Sequence, residues 1–485
     1  MTSALAITDF PDRLSPMVVK ELRQGMRTRL FGGVMLTLHV LLILFTLMSG
    51  GAQNASVVSD WFDGIITLVL CIIIPLRGFS AVADELKAGT LDMLVLTSLS
   101  AGRIIFGKWA AIASQSLLIA LSVLPYVVAR FVFGGLDLFE EIAVLFYKWV
   151  IGIVLAAVIV ALSTQRQFWL RAVVVGLPLL IGGCGAASFF MISRMSRGLS
   201  SSTAVFSVIS TSGSSGESGV ISLLVGLAAW TIFFFLSLAA TRIAPASSLL
   251  SVVKRSVHLV VLLLLILLGW FTGLSGPLAI ITSTVLSLIM VDALTERVNE
   301  IPSVYAAFYR RGLPGRVALW LFAPGWVTGF VYTVLITSLF ALQVGFTRSL
   351  AEAQLVGVSA ASTWLIAVLV QLFSTRNARD LLPPFLIFWL MASVLIMLFG
   401  GLLLQPFVLK GGTAWFACAL PELVPMGYAT AQAADKSAFL EFGSCAALFW
   451  PVLLFFLAVF AWRHTRAARQ EAWRMVHGLK GGAAS

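Results

Sequence analysis

The feature that most constrains this chain is a series of apolar windows, each about 20 residues long, that recur from Leu30 to Trp462. A helix needs about 20 apolar residues to cross a hydrocarbon layer about 30 Å thick. Of the 485 residues, 60% are hydrophobic and 11% are charged, whereas soluble domains carry about 25% charged residues. The sequence therefore predicts an all-α polytopic membrane protein rather than a soluble domain.

Twelve windows have the length and apolar content of a membrane-spanning helix, so we predict about 12 transmembrane helices. The predicted spans are residues 31–50, 61–80, 106–129, 142–163, 170–192, 220–241, 257–272, 274–292, 318–344, 353–373, 382–404 and 443–462. The segment from Gly273 to Pro277 is either a tight turn or a kink. A re-entrant hairpin there would return the chain to the same side.

The Lys and Arg residues are divided unequally between the two sets of loops. With the N-terminus in the cytoplasm, 25 of the 32 lie in inner segments and 7 in outer segments. Because cationic loops resist translocation, we predict a multi-pass protein of the cell (plasma or inner) membrane with both termini cytoplasmic. This topology also explains the net charge of +11. We expect no nucleic-acid partner, because the cations lie between apolar windows rather than on one face.

The spans and loops predict five successive parts of the chain. They are an amphipathic cytoplasmic-surface helix (1–30), a six-span domain (31–241), a cytoplasmic linker (242–256), a second six-span bundle (257–462) and a basic cytoplasmic tail (463–485). Six spans return the chain to its starting side, so the two bundles could be related by an axis along the membrane normal. The sequence shows no convincing residue-level repeat. The second bundle is therefore either a degenerate repeat or an accessory bundle.

The segment between the second and third predicted spans, residues 84–101, has an apolar stripe where no lipid-spanning helix continues. Gly89 permits a sharp turn, Thr90 can cap a helix, and Asp92 is favourable in its first turn. The apolar residues that follow at helical spacing are Leu91, Leu94 and Val95. This stripe either packs on the protein's own bundle or binds a partner surface.

The same segment resembles the first cytoplasmic segment of type-2 ATP-binding-cassette (ABC) exporter permeases. The pattern of that family is approximately E-x-x-x-G-T-L-E-x-L-L-x-T-P-L-S. The matching residues are Glu85, Gly89, Thr90, Leu91, Leu94, Thr97, Leu99 and Ser100. Asp92 and Val95 are conservative replacements, whereas Ser98 replaces a proline. The Val-Lys-Glu-Leu-Arg run at residues 19–23 is also similar to the family.

The resemblance implies that the chain is the permease subunit of an ABC exporter, with residues 31–241 as its six-span permease domain and 84–101 as its coupling segment. Thr90 through Leu96 would form a coupling helix that docks on a separate cytoplasmic ATPase. The implied coupling residues are Glu85, Gly89, Thr90, Leu91, Asp92, Leu94, Val95 and Thr97. The chain itself would then not be an enzyme and would hold no cofactor or metal, since the partner subunit binds ATP. Two docking segments would come from a homodimer or from a pseudo-dimer within one chain.

No complete ATP site is present in the sequence. Gly102 through Lys108 superficially follow the G-x-x-x-x-G-K pattern, but Trp109 stands where a Ser or Thr hydroxyl should reach magnesium. The four cysteines lack C-x-x-C spacing, which excludes a disulfide scaffold and disfavours a zinc site. We expect them to be small buried hydrophobic residues.

Two other functions remain open, a secondary active transporter and an integral-membrane glycosyltransferase. Ion-driven carriers more often place Asp, Glu or His at mid-membrane depth. The clearest such residue is His39, which is either a neutral histidine bonded to a neighbouring helix or a substrate or proton contact. Asp292 and Glu296 lie near the inner end of a span. Asp60 and Asp63 permit a glycosyltransferase, although solvated loop carboxylates are far commoner.

Overall fold

The computed structural model describes residues 16–49, 55–89, 100–134, 137–165, 167–168, 171–172, 174, 217–245, 248–272, 275–297, 302–347, 350–373, 381–391, 452–460 and 474. Within these ranges the chain is almost entirely helical and has no β-strand. Six helices are long and apolar enough to cross a membrane, and a seventh span results if one bent helix pair counts as one. The protein is therefore an all-α, multi-pass membrane protein.

The chain divides into two compact units, Met1–Ala244 and Pro245–Ser485. The helices of the first unit are α1 (Pro16–Met26), α2 (Arg29–Ser49), α3 (Ala55–Thr67), α4 (Ile74–Leu76), α5 (Ala83–Ala88), α6 (Ala101–Gly134), α7 (Leu138–Leu162) and α8 (Glu217–Ile243). Five of the predicted spans coincide with long apolar helices of this unit. Nearly all of the remaining one, 170–192, lies outside the described residues.

The second span of this unit is irregular, and it packs against α7 through a glycine. A π-helical segment, Leu68–Ile73, follows α3, and a 3₁₀ turn, Arg77–Phe79, follows α4. A Cβ atom at Gly152 of α7 would lie 2.5 Å from the backbone oxygen of Leu70. Small residues let membrane helices approach this closely. The contact between α7 and the π-helical segment therefore requires glycine at position 152.

The second unit is built around a central helix. Its helices are α9 (Leu250–Thr272), α10 (Ser275–Thr295), α11 (Pro302–Tyr309), α12 (Gly312–Phe322), α13 (Trp326–Thr347) and α14 (Leu350–Phe373). The central helix α10 packs against α9, α13 and α14. A Cβ at Gly329 of α13 would lie 1.9 Å from the backbone oxygen of Ala293 in α10. Residues 382–391 and 452–460 are also helical, and they cover parts of the last two predicted spans.

The structure divides the predicted span 318–344 by a sharp bend. The axes of α12 and α13 differ by 94°, although the sequence pattern predicts one continuous helix. Pro324 disfavours the helical conformation at the preceding residue, and Ala323 is extended with ψ 147°. Gly325 has φ 126°, which suits glycine. The stretch stays apolar through the bend, so hydropathy does not detect it.

The contact at Gly152 generates a test of the packing in the first unit. We expect Gly152→Leu to destabilise the protein by about 2–3 kcal/mol, because the added side chain overlaps backbone that cannot rotate away. The matched control is Gly226→Leu in α8, where a Cβ would meet nothing within 4 Å. Thermal unfolding in detergent measures both variants. Equal unfolding midpoints would contradict the close helix contact.

Candidate functional site

A buried lysine joins three elements at the predicted cytoplasmic end of the first unit. Lys108 Nζ lies 2.8 Å from Glu85 Oε1 in α5 and 3.1 Å from Glu21 Oε1 in α1. The Lys108 side chain is 4% exposed, and the two carboxylates are 20% and 19% exposed. We call Glu21, Glu85 and Lys108 the lysine triad. Its ammonium group has two acceptors because a buried charge is stable only when it is paired.

The lysine triad lies at the base of the segment that the sequence predicts to be the coupling segment. The helix α5 contains Glu85 and ends where Gly89 adopts the left-handed conformation with φ 68°. The helix α6 then begins at Ala101, with Ser100 Oγ accepting from the Arg103 backbone N–H at 3.4 Å. The remaining coupling residues of the prediction lie outside the described residues: Thr90, Leu91, Asp92, Leu94, Val95 and Thr97.

Hydrogen bonds from Arg77 attach the corner between α1 and α2 to the helix bundle of the first unit. Arg77 donates to the Gly25 carbonyl at 2.9 Å and to Thr28 Oγ1 at 3.2 Å. It also donates to the side-chain oxygen of Gln115 in α6. Together with Glu21, these bonds attach α1 to the second and third predicted spans. The helix α1 therefore lies against the bundle at the base of residues 90–99.

The stretch that superficially follows a P-loop pattern is part of a helix. Gly102 through Lys108 lie entirely within α6. A P-loop binds phosphate with the free backbone N–H groups of a loop between a strand and a helix. Here the N–H groups of Arg103 and Ile104 bond to Ser100, and those further along bond within the helix. In addition, the Lys108 ammonium is held by two carboxylates. This lysine therefore acts as a structural cation in the described fold.

Two further ion pairs lie at the opposite end of the first unit. Arg130 Nη1 is 3.6 Å from Glu141 Oε2, and Lys148 Nζ is 2.9 Å from Asp63 Oδ1. Lys108 and Arg130 are separated along α6 by 22 residues, which corresponds to about 33 Å at about 1.5 Å per residue. That length matches the hydrocarbon core of a bilayer. The two groups of ion pairs thus bracket an apolar layer of membrane thickness.

The described residues around Asp63 enclose a small cavity. Asp63 is paired with Lys148, and Asp60 is exposed. The cavity beside Asp63 has a volume of about 10 Å³, which is room for about one water molecule. One of the two carboxylates that the sequence offers for glycosyl transfer, Asp63, is therefore engaged in an ion pair.

His39 bonds to its own helix. Its Nδ1 lies 2.7 Å from the Met35 carbonyl oxygen, one turn earlier in α2. The ring meets Tyr126 of α6 edge-on, with the centroids 5.6 Å apart. Of the two alternatives for His39, a hydrogen bond to a neighbouring helix or a substrate or proton contact, the first is not what the structure has, because the contact with the neighbouring helix is aromatic. His39 thus has a packing role between α2 and α6.

The second unit contains a buried cluster of charges. Lys254 Nζ lies 2.9 Å from Asp292 Oδ2 and 3.3 Å from Glu296 Oε1. Arg255 forms an ion pair with Glu296, and the Ser251 hydroxyl donates to the same carboxylate. All five side chains are buried. We call these five residues the α9–α10 charge cluster.

The pair Arg255–Glu296 also satisfies the backbone groups at the bend between α12 and α13. Arg255 Nη1 donates to the carbonyls of Leu321 and Ala323 at 2.9 Å each, which are among the last carbonyls of α12. Glu296 Oε2 accepts from the Gly325 N–H at 3.4 Å, just before α13. Helix ends leave such groups without intrahelical partners. The ion pair therefore caps the end of one helix and the start of the next.

Glu296 stays ionised at neutral pH. Burial alone would raise its pKa, but Lys254, Arg255 and the donors from Ser251 and Gly325 lower the pKa to about 2. A group with a depressed pKa contributes stability above its unfolded-state pKa and loses it as the pH falls through the folded value. This carboxylate is therefore a permanent anion that holds the bend together.

Sequence reasoning missed the burial of these charges. It places Lys254 and Arg255 in the linker 242–256 at the membrane surface, but they lie in the first turns of α9 and are each 1% exposed. One signal was available. Asp292 and Glu296 are four residues apart, so they share one helix face. Two carboxylates on one face are the arrangement expected where a helix packs against a pair of basic residues. Helix packing was still needed to show which cations they meet.

The described ranges contain no group of three or more His, Cys, Asp or Glu side chains that could hold a metal ion. Cys71 is buried, and its thiol donates to the Lys148 carbonyl at 3.5 Å. Cys71 thus packs as a small core residue. The other three cysteines lie outside the described residues.

The comparisons with known proteins add no assignment to these sites. No protein-family model matches the chain, and no curated protein or solved structure matches it significantly. The functional argument therefore depends on the residues and their geometry.

The lysine triad can be tested through stability. We expect Lys108→Ala to lower the free energy of unfolding by about 3 kcal/mol, because it leaves two largely buried carboxylates without their cation. The matched control is Lys87→Ala, since Lys87 lies two residues from Glu85 but is exposed. We expect that control to change stability by less than about 0.5 kcal/mol. Unfolding midpoints in detergent compare the two variants. An unchanged midpoint in Lys108→Ala would show that the lysine triad does not stabilise the fold.

A double-mutant cycle tests the pair at the bend. We expect Glu296→Gln and Arg255→Gln each to destabilise the second unit, because each leaves the opposite charge buried and less well paired. The double variant should lose less than the sum of the single losses, with a coupling free energy of about 1–3 kcal/mol. Denaturant unfolding of the three variants measures this coupling. Additive losses would show that the two side chains act independently.

Proposed function

We propose that this protein is the membrane-spanning permease subunit of an ATP-driven ABC transporter, acting as an exporter. A separate cytoplasmic ATPase would bind and hydrolyse ATP, and it would dock on residues 84–101. The proposal rests on the resemblance of that segment to the type-2 ABC exporter pattern. The geometry of the lysine triad supports it from the structural side.

The observation that carries the proposal is that the residues on either side of 90–99 are joined to each other by an ion pair. Glu85 lies just before this segment and Lys108 just after it, and the two side chains are joined at 2.8 Å. Glu21 adds α1 to the same junction. A segment that receives a push from a partner transmits it only if its two ends are attached to the spans. The lysine triad provides that attachment.

In the proposed mechanism, movement of the ATPase shifts Thr90 through Leu96 and the helices attached at their base. The spans would thereby be biased between inward-open and outward-open arrangements. An equilibrium shifts only when the partner contacts the two arrangements with different free energies. The lysine triad would favour movement of α1, α5 and α6 as one body, because separating its charges in a buried site is costly.

We propose further that the chain has 12 spans with both termini cytoplasmic, and that its two units form a pseudo-dimer. Both units have an acidic residue at the end of their second span-forming helix, Glu85 in one and Glu296 in the other. Each acid is paired with a lysine from an adjacent span, Lys108 and Lys254 respectively. The two acids correspond in position and support a shared architecture, although Lys108 follows its acid in the chain and Lys254 precedes its own. An accessory second bundle remains the alternative.

The two other functions have less support. A secondary carrier needs an acid that binds and releases an ion, but the buried acids Asp292 and Glu296 are neutralised by Lys254 and Arg255. The contact of Glu296 with Gly325 at the bend gives this carboxylate a structural role. A glycosyltransferase needs an available outer-loop carboxylate, and of the two candidates Asp63 is held in an ion pair.

The substitution Leu94→Asp tests the proposal. If Leu94 enters an apolar groove on the ATPase, the variant loses a buried leucine and places a charge where water is scarce, which costs about 2–4 kcal/mol. We expect docking to weaken roughly 30- to 1000-fold at normal membrane abundance. The matched control is Ser98→Asp, which adds the same charge at a position that departs from the motif. Co-purification of the tagged chain with a P-loop ATPase measures docking.

Several outcomes would contradict the proposal. Full transport and normal ATPase association in Leu94→Asp would remove this residue from the interface. A collapse in abundance would favour packing of the stripe on the protein's own bundle. Transport by the chain alone in vesicles, driven by a proton or sodium gradient, would establish a secondary carrier instead.

A further inference from the structure

The helix α12 is apolar on two opposite faces. One face packs against α11 in a small core, whose buried members are Val304, Tyr305, Phe308, Leu319 and Ala323. The other face carries exposed Leu313, Val317 and Trp320 at the spacing i, i+4, i+7, which places them in one stripe. Leu313 is 76% exposed and Val317 60% exposed. A helix with both faces apolar is expected to have an apolar environment on each side.

The direction of α12 suits a membrane surface. The helix is bent by 94° from α13, and the bend is held by the pair Arg255–Glu296. α13 has 22 residues, so its length is about 33 Å at about 1.5 Å per residue. If α13 crosses the bilayer, α12 lies close to parallel with its surface. Its exposed stripe then runs along that surface rather than through the layer.

The charges beside the stripe match an anionic lipid surface. Arg310 and Arg311 precede α12, Arg316 lies within it, and all three are exposed. The charge distribution predicts that residues 293–317 are cytoplasmic, on the side where membranes carry anionic lipids. Arginine binds phosphate oxygens through two donors at once. Trp320 at the end of the stripe is typical of the boundary between headgroups and acyl chains.

We propose that α12 is an in-plane anchor that binds the anionic surface of the bilayer. Leu313, Val317 and Trp320 insert at the boundary of headgroups and acyl chains, and Arg310, Arg311 and Arg316 contact lipid phosphates. The anchor holds α12 in the membrane plane while the ion-paired bend connects it to α13. This inference does not depend on the proposed transport function.

Depth measurements on the full-length chain test the proposal. Each of Leu313→Cys, Val317→Cys and Trp320→Cys is made in a background without the four native cysteines, labelled with a nitroxide and reconstituted in vesicles of phosphatidylglycerol and phosphatidylcholine. Accessibility to oxygen and to a water-soluble nickel complex gives the depth of each label. The matched control is Lys87→Cys, at an exposed site at the end of α5.

We expect all three labels to lie at one depth, about 5–10 Å below the headgroups, whereas the Lys87 label stays accessible to nickel. A helix that enters the bilayer lengthwise would instead place the labels at positions 313 and 320 about 10 Å apart in depth. Such a gradient would overturn the in-plane anchor and establish a broken span or a re-entrant helix.

Varying the charge of the lipid provides a second test that needs no cysteine substitution. Hydrogen exchange of residues 312–322 in the unmodified chain should slow as the phosphatidylglycerol fraction of nanodiscs rises. In Arg310→Gln/Arg311→Gln the affinity of this segment for the anionic surface should fall about 5-fold per removed charge, so the slowing should begin only at a higher phosphatidylglycerol fraction. The control Arg103→Gln, an exposed arginine in the first turn of α6, should leave the exchange of residues 312–322 unchanged.

Three further results would overturn the proposal. Labels at positions 313 and 317 that are as accessible to nickel as the control would place the stripe in water. Protection that develops only after an ATPase partner is added would identify the stripe as a protein-docking surface. If hydrogen exchange of residues 312–322 does not depend on lipid charge, the arginines do not bind lipid phosphates.

Discussion

The structure depends above all on the pairing of charges that the helices remove from water. An isolated charge in an apolar interior costs many kilocalories per mole, so it is tolerated only with an opposite charge and hydrogen-bond partners. Lys108, Lys254 and Arg255 are each at most 4% exposed, and each has a carboxylate in contact. Because each partner comes from another helix, these pairs specify which helices meet and in what register.

Close backbone contacts provide the second constraint. Lipid is as apolar as leucine, so helices in a membrane associate through packing rather than through exclusion of water. Gly152 and Gly329 allow backbone contacts that any side chain would prevent. In the second unit this contact joins α13 to α10, which also carries Asp292. Packing and charge pairing therefore meet on α10, which contacts α13 at Gly329 and α9 through the Lys254–Asp292 pair.

The sequence predicts a coupling segment at residues 84–101, but it could not show how the residues flanking that segment attach to the bundle. The pattern around Glu85 and Gly89 predicts a turn, and Gly89 adopts the left-handed conformation at the end of α5. Nothing in the pattern indicates that Glu85 meets Lys108, because the two residues are 23 positions apart in the sequence. Their contact depends on the packing of α5 against α6 and α1. The same is true of Lys254 and Asp292, which are 38 positions apart.

The sequence by itself determined the class of the protein, because the length of an apolar window is a local property that a bilayer of constant thickness selects. Only the tertiary structure decided that Lys254 and Arg255 are buried and that α12 turns by 94° from α13. Hydropathy measures how apolar a stretch is, but it does not indicate the direction in which the helix runs. The direction of a helix after a proline and a glycine is decided by the groups that satisfy its free backbone, and here these groups come from another part of the chain.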